Sequence, residues 1–239
     1  MKLALIAAMS VMVGLLLAGC KSESSGPTTG PEIPAELFPL KPGNYWVYVV
    51  YALDTNGLRR GIERYDSVVV GEMSRVADRQ AYPLYFFRTE DPTSGNYQLH
   101  DSSYAVVDAS NNVWMYNLAG SASNIPLSWW RITGTTPWVV VDTTFAQGGA
   151  SIRLKITGNK EGTEPYSVGG NTFTSQKFTH VWEATVASGG NTINVRGSMR
   201  FWFVPKIGLV GRYFLVKFYQ GGLVDHEGED YAVLRYRVQ

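Results

Sequence analysis

The sequence predicts an all-β protein: a single domain of long, strongly curved antiparallel strands, arranged as a barrel or half-barrel meander, with little helix outside an N-terminal signal peptide. Three observations carry this. From residue 37 onward, β-branched and aromatic residues alternate with polar ones, and no stretch shows a 3.6-residue apolar stripe. Clusters of Gly, Asn, Pro and Asp interrupt the alternation where tight turns are needed. The breaks leave runs of about 14 residues, roughly 45 Å at about 3.3 Å per residue, and strands that long must coil to fit a compact domain.

The first element is not part of the domain. Lys2 precedes an uncharged run over residues 3–19 that ends in small residues, the pattern of a signal peptide over residues 1–19. A spanning helix needs about 20 apolar residues, and here the chain turns polar at once with Lys21-Ser22-Glu23. Residues 20–36 hold the only cysteine, Cys20, and then Ser, Gly, Pro, Thr and Glu with one large apolar side chain, Ile33. Such a segment buries too little surface to offset its ordering entropy, so it reads as a flexible tether. The antiparallel β domain is expected over residues 37–239.

Within the domain, Pro42-Gly43-Asn44 makes a turn that delivers Trp46, Tyr48 and Val50 onto one face. Ile152, Leu154 and Ile156 alternate with Arg153, Lys155 and Thr157, a half-buried strand. The tetrapeptide Gly-Gly-Asn-Thr occurs at residues 169–172 and 189–192, where positive φ suits tight hairpins. Strands are expected over residues 172–187, 191–204, 208–220 and 230–238, with the charged run Asp225 to Asp230 in a solvated turn. Alternation puts Phe178, His180, Trp182, Ala184 and Val186 on one face, together with Met199, Phe201, Phe203, Phe214, Val216 and Phe218. The opposite face carries Trp202, Val204, Tyr213, Leu215 and Tyr219, too apolar to be bare, so a cover is expected from residues 104–145 or from a partner.

Composition narrows the function. Without residues 1–19 the chain has 20 basic and 20 acidic side chains, which gives no basis for nucleic-acid binding. With 45% apolar and 13% aromatic residues, the chain can build one sizeable core without disulfides. There is no G-x-S-x-G elbow, no H-E-x-x-H and no phosphate-binding Gly-rich loop. His100, His180 and His226 have no ligand-like spacing, so neither a metal nor a cofactor is expected beyond a lipid on Cys20.

Three constellations remain. His180 lies in an aromatic row, either as a core histidine bonded to a backbone group or as the polar contact of an apolar ligand site lined by Trp182, Phe201, Phe203 and Phe214. Trp129-Trp130 is either core or a stacking platform for sugars. A hydrolase with an unrecognised carboxylate pair is the further alternative.

Leu17-Ala18-Gly19-Cys20 resembles the bacterial lipobox, and the resemblance implies cleavage before Cys20 and acylation of that cysteine with chains such as palmitate. Two or three acyl chains hold a protein firmly on a membrane, at about 0.8 kcal/mol per buried methylene. Lys21, where aspartate commonly signals inner-membrane retention, favours the outer membrane. The segments Phe38-Pro39-Leu40-Lys41-Pro42-Gly43-Asn44-Tyr45-Trp46-Val47-Tyr48 and Trp202-Phe203-Val204-Pro205-Lys206-Ile207-Gly208-Leu209-Val210 resemble signatures of uncharacterised β-rich bacterial lipoproteins. The expectation is an envelope lipoprotein, not an enzyme, that acts in binding or assembly. Its partners would be the membrane through Cys20 and an apolar small molecule or an envelope protein; a surface glycan-binding module is the alternative.

Overall fold

The computed structural model of the protein describes residues 37–76, 79–117 and 129–239, so the signal peptide, Cys20 and the tether lie outside the described residues. These residues form thirteen strands: β1 Tyr45–Leu53, β2 Arg59–Val70, β3 Ser74–Val76, β4 Arg79–Thr89, β5 Gln98–Val107, β6 Val113–Asn117, β7 Trp129–Arg131, β8 Trp138–Gln147, β9 Ala150–Val168, β10 Asn171–Ser188, β11 Asn191–Val204, β12 Gly208–Tyr219 and β13 Leu223–Arg237. No helix occurs among the described residues, and so none there is long and apolar enough to cross a membrane.

Twelve strands make one antiparallel sheet in the order β7-β6-β5-β4-β2-β1-β13-β12-β11-β10-β9-β8, with β3 paired to β4 off this path. Every neighbour in the two meanders is a hairpin partner or nearly so, and the pairing of the first and last strands, β1 and β13, joins the two meanders. The sheet rolls into a nearly closed barrel. Its two end strands, β7 and β8, are consecutive in the chain and meet across a seam.

The hairpin turns follow the glycine signals. Val168 pairs with Asn171 across Gly169-Gly170, at φ 57° and 79°, and Ser188 pairs with Asn191 across Gly189-Gly190, at φ 56° and 80°. Both loops are the two-residue kind whose positive φ matches strand twist. β9, β10 and β11 run 19, 18 and 14 residues, and coiling is what lets strands of this length share one domain.

One expected boundary moves. The last strand begins at Leu223, not residue 230, so Asp225 to Asp230 lies in the ladder of β13 and the turn is made by Gln220-Gly221-Gly222. The physical reason is alternation: β13 sends Glu227 and Glu229 to the same face as Val216 and Phe214, and Asp230 to the other face, where it meets Arg59 at 2.7 Å. A run of charges that looks solvated in sequence is divided between two environments.

The inner face is the one the alternation marked. Phe178, His180, Trp182, Ala184, Val186, Phe201, Phe203, Phe214, Val216 and Phe218 are all buried. The cover of the outer face differs from expectation. The far ends of β9 and β10 bring Tyr166 onto Trp202, ring centroids 5.1 Å apart, and Glu164 accepts from Trp202 Nε1 at 2.6 Å. A Cβ on Gly211 would collide with the Tyr166 ring, so glycine there is what lets that ring pack on β12. The turn at Gly57 covers Tyr213 and Leu215 in the same way.

The two segments that resemble lipoprotein signatures pack on one another. Trp46 Nε1 donates to the Ile207 carbonyl at 2.6 Å, and the Tyr48 hydroxyl donates to the Leu209 carbonyl at 2.8 Å. Phe38 lies 5.3 Å from the Trp46 ring and 5.8 Å from Phe203. Gly208, at φ 97°, leaves room for both rings.

Candidate functional site

β10 and β11 place the predicted aromatic row. His180 sits 5.1 Å from Phe201, and Trp138 approaches its ring edge at 5.8 Å. Trp182 lies 6.3 Å from Phe214, and Phe201 lies 6.4 Å from Phe203. These centroid separations are those of packed aromatic pairs, so the five residues expected to line an apolar site lie in one buried interior, with His180, Phe201 and Phe203 packed in one row and Trp182 against Phe214.

His180 is bonded to the backbone. Its Nε2–H donates to the Ile132 carbonyl at 3.0 Å, and because a carbonyl only accepts, this nitrogen carries the proton in the neutral ring. Burial pulls the imidazole down to about 4, partly opposed by that hydrogen bond. The bond also has an architectural effect: Ile132 follows β7, so His180 ties β10, two strands in from the β8 edge, to the segment that leaves the opposite edge of the sheet. Trp138 Nε1, at the start of β8, donates across the same seam to the Arg131 carbonyl at 3.0 Å.

Trp129 and Trp130 are neighbours on β7 and therefore point to opposite faces. Trp130 is buried and packs 5.9 Å from Trp182, whereas Trp129 stacks on Tyr116 at 5.1 Å with the Arg79 guanidinium 5.2 Å from its ring. The indole N–H groups of Trp130 and Trp182 are buried with no hydrogen-bond acceptor.

A second constellation was not found by sequence reasoning. On the inner face of β2, β13 and β12, Arg64 donates to Asp66 at 3.0 Å, to the Tyr231 hydroxyl at 2.8 Å and pairs with Glu229 at 2.7 Å. Tyr231 in turn donates to Glu229 at 2.9 Å, and Arg212 lies flat on the Tyr231 ring at 3.8 Å with an amino group 3.7 Å from Glu229. Arg88 approaches Asp66 at 3.5 Å. Burial alone would push Glu229 up, but the hydrogen bond and charge of Arg64 outweigh it and hold the carboxyl below its ordinary range. Glu227, next on the same face, is pushed up by burial and by the charges of Asp225 and Glu229. The cluster thus holds Arg64 and Glu229 charged and mutually bonded. Only the alternation Arg64-Tyr65-Asp66 and Glu229-Asp230-Tyr231 hinted at it, because the partners are 167 positions apart.

Comparison with known proteins bears on the fold. No family model matches the chain, and no curated protein matches it. Among solved structures, it is similar to a candidate lipoprotein from Parabacteroides distasonis ATCC 8503, at 14% identity and TM-score 0.50, covering 84% of this chain and 97% of that one. It is also similar to a candidate exported protein with a YmcC-like fold from Bacteroides fragilis NCTC 9343, at 14% identity and TM-score 0.42, covering 84% and 98%. The first likeness establishes a shared all-β architecture.

Proposed function

We propose that the protein is a lipid-anchored lipoprotein of the bacterial envelope, held at the outer membrane through Cys20, whose β domain is a non-enzymatic binding or assembly component. The lipobox-like Leu17-Ala18-Gly19-Cys20 supports the anchor, and the fold shared with a candidate lipoprotein agrees with it. One observation carries the domain's part in this reading: the inner face is occupied by packed rings on β10, β11 and β12 and by mutually bonded charges on β2, β12 and β13. Binding chemistry is then supplied by the outer surface. Fractionation of cells expressing the wild type and Cys20→Ala tests the anchor. The wild type is expected in the outer-membrane fraction, and the variant in the soluble fraction or as unprocessed precursor; equal distribution of the two would contradict the reading.

The second reading is an apolar ligand held among His180, Trp182, Phe201, Phe203 and Phe214. The observation that favours it is the pair of buried indole N–H groups on Trp130 and Trp182, which lack acceptors that a ligand oxygen would supply. Native mass spectrometry of protein purified without detergent tests it: a retained small molecule supports this reading, and a bare polypeptide mass contradicts it.

A further inference from the structure

The outer face of β11 and β12 places two cations side by side. Arg196 on β11 is directly opposite Lys217 on β12, and like charges in opposed positions repel. Neither forms an ion pair or a hydrogen bond among the described residues, and Glu183, opposite Arg196 on the other side, does not come within ion-pairing distance of it. The inward Arg64, by contrast, is matched by Asp66 and Glu229.

Arg196 borders a hollow, with Lys217 beside it on the next strand. Asn194, Arg196, Tyr219, Gly221 and Gly222 line a surface pocket of about 220 Å³ at the end of the sheet where β12 turns into β13. Tyr219 sits directly opposite Asn194 and is two residues beyond Lys217, so all four side chains project from one face of two neighbouring strands. Thr185 donates to the Asn194 carbonyl oxygen at 3.2 Å, which leaves the amide N–H groups to face other partners. The two glycines keep the wall low, and Gly221, at φ 75°, holds the turn open.

We propose that this pocket is a binding site for an acidic sugar, a carboxylated pyranose. Its carboxylate would take the fork of Arg196 and the charge of Lys217, its ring would lie against Tyr219, and Asn194 would bond a hydroxyl. The bound anion would also remove the repulsion between the two cations, so part of the site's cost in the free protein is recovered on binding. The proposal does not depend on the lipid anchor and uses residues separate from Trp129 and Trp130.

Calorimetric titration of the purified full-length protein with glucuronate, glucose and inorganic sulfate tests it. Glucuronate should bind and raise Tm, glucose should not bind, and sulfate should bind more weakly than glucuronate. Arg196→Gln should weaken glucuronate binding about tenfold or more, the loss expected for a hydrogen bond to a charged group, while leaving the Tm of the unliganded protein unchanged or higher. Equal binding of sulfate and glucuronate would overturn the sugar assignment, and no binding, or binding indifferent to Arg196→Gln, would overturn the site. A lower unliganded Tm for Arg196→Gln would show a structural role and contradict the proposal as well.

Discussion

His180 and Ile132, 48 positions apart, are joined by a 3.0 Å hydrogen bond that links the centre of β10 to the chain segment bridging the barrel seam. The end strands β7 and β8 share no ladder, so closure at this point depends on side chains that reach backbone carbonyls. The same bond requires a neutral imidazole only in part, since a protonated ring could still donate through Nε2; what excludes the charged form is burial.

Stability should therefore fall on mild acidification. The folded-state pKa of His180, about 4, is below the ordinary value of about 6.5, so the unfolded chain binds the proton first and stability is lost as pH falls from 6.5 towards 4. Across that window the loss is about 3 kcal/mol. Urea unfolding at several pH values should show it in the wild type, and a markedly shallower slope in His180→Phe.

Contact between the two signature segments should be energetically important. Trp46→Phe removes the donor to Ile207 and leaves that carbonyl unpaired, at a cost of about 1–3 kcal/mol. Gly208→Ala forces a side chain into φ 97° with a Cβ 3.0 Å from Trp46 and 3.1 Å from Phe38, and should destabilise at least as much. Thermal unfolding of both variants measures this.

The inner charge cluster should respond asymmetrically to its members' removal. Arg64→Met removes the shortest ion-pair partner of both Asp66 and Glu229, leaving Asp66 only the longer contact of Arg88 and Glu229 those of Arg212 and the Tyr231 hydroxyl, and about 3 kcal/mol of stability should be lost. Arg59→Met breaks a pair whose arginine is largely exposed, and should cost no more than about 1 kcal/mol. Denaturant midpoints of the two variants should differ accordingly.

Phe201→Ala separates a packed interior from a ligand site. With His180, Phe178 and Phe203 around it, Phe201 should cost about 3–5 kcal/mol on truncation, without change in the binding of an apolar fluorescent probe. A small stability loss together with weakened probe binding would favour the apolar-ligand reading.

Much of the barrel was legible because period-two alternation and glycine turns are local signals. The inner face of β10, β11 and β12 could be read residue by residue, since cross-strand rows such as Phe178, Phe201 and Arg212 only repeat that alternation. What could not be read is long-range pairing. Nothing local places β13 beside β1, so Arg64 and Tyr231 could not be matched, and the charged run that ends at Asp230 read as a turn. The cover over Trp202 was missed for the same reason: Tyr166 reaches it only because β9 and β10 outrun the sheet they belong to.

Anchoring through Cys20 is tested by intact-mass analysis of protein extracted from the membrane fraction. The polypeptide should begin at Cys20 and carry the added mass of a diacylglyceryl group and an amide-linked acyl chain. A free thiol at Cys20, or a chain that still includes residues 1–19 without acyl mass, would contradict it.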